Sequence, residues 1–83
     1  MLCTVEQRDR IRAARDRLET FEQVEATDVL DPHRDRSARW TIEVVLCADG
    51  IPPQVLDTLG SYRLTLRTAQ PQGPNFWVLV ATV

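Results

Sequence analysis

The chain contains no lysine: all ten of its basic residues are arginine, set against twelve acids and one histidine, for a net charge of −2. That near-balance excludes a broadly basic surface of the kind that holds nucleic acid by charge alone. Glycine is scarce. Gly50, Gly60 and Gly73 stand alone, each at a turn or helix end, and no glycine-rich phosphate loop is present. The two cysteines, Cys3 and Cys47, lack the close spacing of a metal site, and no nucleophile motif accompanies the single His33. The longest uncharged apolar run, 76–81, is far shorter than the roughly 20 residues that a membrane helix needs. Arg8 and Arg10 are not followed by the apolar stretch of a signal peptide. These absences lead to the expectation of a cytoplasmic protein with two reduced thiols, Cys47 partly buried at a strand end, no membrane contact, no metal and no cofactor.

What is present reads as one globular domain, 1–83. The chain is 43% hydrophobic and 27% charged, above the range of a disordered tail. With arginine as its only cation, its composition resembles that of short proteins of halophilic archaea.

Residues 4–20 carry a helical pattern. Thr4 and Gln7 fit a capping box, and Ile11, Ala14, Leu18 and Phe21 form one apolar stripe at three- and four-residue steps. Opposite charges recur four residues apart, as in Glu6 with Arg10, Arg12 with Asp16 and Arg15 with Glu19. Residues 22–30 read as an edge strand with Val24, Ala26 and Leu30 on one face. The polar loop 31–37 (DPHRDRS) follows. In 39–47, Trp40, Ile42, Val44 and Leu46 alternate with Thr41, Glu43 and Val45, the mark of a strand. After the break at 49–53 (DGIPP), a short helix starts at Pro52 or Pro53, buries Val55, Leu56 and Leu59, and stops at Gly60. Residues 62–69 alternate again, 71–74 (PQGP) form a turn, and 75–83 is apolar on both faces, as a central strand would be.

The order α-β-β-α-β-β predicts an α+β two-layer sandwich: a four-stranded antiparallel sheet with two helices on one face. The order resembles a ferredoxin-like domain, βαββαβ, circularly permuted so that its first strand comes last. That resemblance implies a sheet order of third, fourth, second and first strand. The expected core is Ile11, Leu18, Trp40, Ile42, Val44, Leu59, Leu64 and Leu66.

Candidate chemistry is thin. Asp31, His33 and Asp35 could offer metal ligands in a loop, but a fixed site needs more ligands and a rigid frame. Glu25 and Glu43, with Asp28 nearby, could share a sheet face. General acid–base work would also need a pocket to shift a pKa, which a domain this small has little room for. No catalytic residue is assigned, and the chain is expected not to be an enzyme. Arginines along the first helix, Arg34, Arg36 and Arg39 at the first hairpin, and Arg63 and Arg67 near Phe76 or Trp77 suggest an alternative role, an RNA- or single-strand-binding accessory domain. The acids interleaved with those arginines oppose it.

The leading expectation is a small interaction module, self-associating through its sheet or meeting a protein partner. If Gln70 stands opposite Asn75, then Trp77, Leu79 and Ala81 join Leu64 and Leu66 on the helix-facing side. Phe76, Val78 and Val80 then lie with Val45 on the open side, as an interface. A slip of one residue exchanges the two faces.

Overall fold

The computed structural model describes residues 3–33 and 39–82, with side chains from Glu6 onward. The elements are α1 (Cys3–Leu18), β1 (Val24–Leu30), β2 (Thr41–Leu46), α2 (Pro53–Ser61), β3 (Leu64–Gln72) and β4 (Asn75–Thr82). The strands form one antiparallel sheet in the order β1-β2-β4-β3. This is the expected α+β architecture, and the order coincides with that of the permuted ferredoxin-like plan. The two most apolar strands, β2 and β4, occupy its centre.

Helix α1 starts at Cys3, which places Thr4 within the first turn and not at the expected cap position. The predicted stripe is the face it buries: Ile11, Ala14 and Leu18 are fully enclosed, and Phe21 packs beside them. Its ion pairs form between sequence neighbours, Arg8 with Asp9 at 3.7 Å and Arg15 with Asp16 at 3.1 Å. Glu19 accepts a hydrogen bond from the Thr27 hydroxyl at 2.6 Å, which ties the end of α1 to β1.

Helix α2 begins as the sequence indicates. Pro53 sits in its first turn, where a missing N–H costs nothing, and Pro52 is the extended N-cap. Val55, Thr58 and Leu59 face the core, whereas Leu56 is exposed. The buried Thr58 hydroxyl is satisfied by the Gln54 carbonyl at 2.8 Å. The helix runs through Gly60, and the left-handed residue at its end is Arg63, with φ 56°. A side chain in that region costs about 1–2 kcal/mol. Arg63→Gly is therefore expected to stabilise the chain by about 0.5–1 kcal/mol, the gain being partly offset by a looser unfolded chain. Urea unfolding would measure it; a loss of stability would show that the Arg63 side chain contributes contacts worth more than its strain.

The core lies between the helices and one sheet face. Ile42, Val44 and Leu46 of β2 and Val78 and Val80 of β4 are enclosed there with Ile11, Leu18, Val55 and Leu59. Each such side chain contributes about 1.5–3 kcal/mol relative to exposure. Trp40 and Phe76 are partly buried against this cluster, and Leu64 is 8% exposed. Leu66, expected in the core, is 44% exposed. Cys47, expected partly buried, is exposed as a free thiol just past β2.

Two bulges set the sheet's faces. Opposite β2, Val24 pairs with Leu46 and Ala26 with Val45, leaving Glu25 as the extra residue of β1. Opposite β4, Leu66 pairs with Val80 and Thr68 with Leu79, leaving Arg67 as the extra residue of β3. The β3–β4 hairpin closes with Gln72 opposite Asn75, so its loop is Gly73 and Pro74 alone. Proline cannot adopt positive φ, and Gly73 has φ 62°, which leaves a type II′ turn as the fitting geometry.

Candidate interaction surface

These registers overturn most of the expected interface. Phe76, Val78 and Val80 lie on the helix side of β4, with Val78 1% and Val80 0% exposed, and Phe76 packs against the same cluster. The expected register placed Gln70 opposite Asn75; the shorter turn moves β3 by two residues, which by itself preserves the faces. The bulge at Arg67 then adds a single residue and reverses them. Of the four expected interface residues, only Val45 is on the open face.

Three rows of side chains cross that open face. Ala26, Val45, Trp77 and Gln70 form the first, Asp28, Glu43, Leu79 and Thr68 the second, and Leu30, Thr41, Ala81 and Thr65 the third. Val45, Trp77, Leu79 and Leu30 are half-buried, with neither helix over them. The Trp77 indole donates to the Glu43 carboxylate at 3.0 Å, so the ring is tethered to an acid on the neighbouring strand. Arg67 reaches inward from the edge and donates to the Thr41 hydroxyl at 3.4 Å. Glu25, pushed out at its bulge, accepts from Asn75 on β4. Of the three acids expected to lie together, Asp28 stands opposite Glu43, while Glu25 is the extra residue of the bulge; the carboxylates of Glu25 and Glu43 are each taken up by a β4 side chain.

Both outer strands are poor templates for a further strand. β1 carries a bulge and two acids, and β3 carries a bulge and Pro71, which has no N–H to offer.

The helix side offers two open clefts. One, of about 580 Å³, lies between α1 and α2, where the Arg17 guanidinium stands 5.2 Å from the Phe21 ring centre. The Ser61 hydroxyl at its rim donates to the Asp57 carbonyl at 3.0 Å. The other, of about 410 Å³, is lined by Arg12, Arg15, Val29, Asp31 and Trp40. His33 is exposed, and its backbone N–H donates to the Asp31 carboxylate at 2.9 Å. Asp35, Arg34 and Arg36 lie outside the described residues. Among the described residues, no group of three or more His, Cys, Asp or Glu side chains could hold a metal ion, and no helix is long and apolar enough to cross a membrane.

Sequence reasoning missed Trp77 and Leu79 as surface residues because nothing in their own strand distinguishes its faces. Gly73 followed by Pro74 favours a two-residue loop over a four-residue one, but that shift keeps the faces as they were; the reversal comes from the bulge at Arg67, which nothing in the sequence marks. No family model, curated protein or solved structure matches the chain.

Proposed function

We propose that this is a non-enzymatic interaction module of the cytoplasm that self-associates through the open face of its sheet. The observation that carries this reading is the placement of Trp77 and Leu79, with Val45 beside them, on the face away from both helices. A small domain seldom leaves such a patch in water. The guarded outer strands favour stacking on the face over pairing at an edge.

The test is sedimentation equilibrium over a dilution series. The wild type is expected to pass from dimer to monomer as it is diluted. Leu79→Asp would set an unpaired carboxylate in the contact and weaken association at least 100-fold, with circular dichroism unchanged. A wild-type mass of 9.5 kDa at every concentration would defeat the proposal.

One observation favours single-stranded nucleic acid as the second reading: Trp77 lies on an open sheet face that Arg67 also reaches. Stacking of a base on Trp77 would fit. The Glu43 carboxylate on the indole and Asp28 next to it oppose the phosphates such a strand would bring. Retention on heparin that falls with salt, and is lost in Trp77→Ala, would support that reading over self-association.

A further inference from the structure

We infer that two copies stack with their two-fold axis parallel to the strands, so that β1 and β2 of each lie over β3 and β4 of the other; the inference rests on the sheet-face reading above. A symmetric face-to-face pair needs an axis in the plane between the sheets. The axis can run along the strands or across them, and the charges on the middle row distinguish the two.

All the acids of the sheet are on one half. Glu25 and Asp28 belong to β1 and Glu43 to β2, whereas β3 and β4 carry no acid and a single base, Arg67. An axis across the strands at the middle row sets Glu43 against the partner's Glu43 and Asp28 against the partner's Asp28. Like charges opposed in a desolvated contact are strongly unfavourable. An axis along the strands, between β2 and β4, avoids both encounters. It sets Val45 over the partner's Trp77, Glu43 over the partner's Leu79 and Asp28 over the partner's Thr68. Each apolar contact then occurs twice, and Glu43 keeps its own Trp77 donor. Strand directions coincide in this arrangement, as in the aligned packing of sandwich sheets, with an offset of about 30° from twist.

The area suits a second copy. Four strands about 4.8 Å apart and about seven residues long present roughly 450 Å² per face. Two such faces bury at most about 900 Å², since Thr41 and Ala81 are already enclosed, and an area of that size fits a weak, reversible dimer.

Thr68 tests the axis. It is half-buried on β3, in the row of Asp28 and Glu43. With the axis along the strands, Thr68→Arg meets the acid half of the partner and Thr68→Glu is repelled by it. The expected result is a dissociation constant about three-fold lower for Thr68→Arg and at least three-fold higher for Thr68→Glu. With the axis across the strands, Thr68 meets the partner's Thr68, and both variants weaken the dimer alike. Any result in which the two variants move together overturns the proposed axis, and dissociation by Leu79→Asp would then still support the face. A wild type that stays monomeric at every concentration overturns both.

Discussion

Val78→Asp is expected to leave the chain unable to hold its fold, whereas Leu79→Asp, one residue along, leaves it folded. The two positions differ only in the side of β4 to which they point. Val78 is 1% exposed, stands beside Val44 of β2 and belongs to the cluster that α1 and α2 cover. A carboxylate there has no donor within the apolar cluster. It would either stay ionised at a cost of several kcal/mol or take up a proton and still lack a partner. A chain of 83 residues has about 4–12 kcal/mol of stability in total. A loss of more than about 4 kcal/mol takes a third or more of that, and toward the lower end of the range it unfolds much of the population at room temperature. Leu79 is half-buried on the open side, and an acid there remains partly hydrated in the monomer. Far-ultraviolet circular dichroism and urea melts of the two variants would decide the matter. If Val78→Asp stayed folded and Leu79→Asp did not, the β3–β4 register described here would be wrong by one residue.

The second large effect concerns the attachment of α1. Most of this helix is polar, and it meets the sheet through Ile11, Ala14 and Leu18, all completely buried. Leu18→Ala removes one of the two large contacts among its described side chains and opens a cavity where the sheet cannot close in. The expected loss is about 3–4 kcal/mol, a quarter or more of the total stability. Amide exchange should rise over α1 as well as globally, because so few contacts hold it. Arg17→Ala, beside it, removes an exposed cation–π contact with Phe21 and should cost less than about 1 kcal/mol. A loss below 1 kcal/mol for Leu18→Ala would mean that α1 contributes little to the folded core.

The elements were readable because each carries its own period. The stripe at Ile11, Ala14 and Leu18, the alternation from Trp40 to Leu46 and the proline start of α2 are local facts, and all survive in the structure. The sheet order came from the resemblance to a permuted ferredoxin-like plan, with which the apolarity of β4 on both faces agrees; hydropathy by itself left the order open. The candidate face was not readable. Its assignment required carrying the inward direction of Leu64 along β3, around the turn and into β4, and Arg67 breaks that chain. A bulge is one residue that belongs to neither alternation, and Leu66, Arg67 and Thr68 are as good a strand in register as out of it. Leu66 was lost for a related reason. It pairs with the buried Val80 and still lies 44% exposed, because an edge position is wet wherever no helix extends over it. The left-handed residue after α2 was misplaced because Gly60 is the more natural carrier, although the helix geometry assigned that role to Arg63.

The seam between β2 and β4 also governs how quickly such a chain can assemble. The β1–β2 and β3–β4 pairings are hairpins, and the second has a turn suited to rapid closure on the microsecond scale. The β2–β4 pairing has no such local start. Its nearest partners, Leu46 and Phe76, are about 30 residues apart, and bringing them together costs roughly 3 kcal/mol of loop entropy before any contact forms. Each half of the chain is thus a helix followed by a hairpin, and each helix lies against the hairpin of its own half, α1 on β1 and β2 and α2 on β3. The rate at which the two hairpins find each other across the seam, with α2 carried between them, sets the folding time of the whole domain.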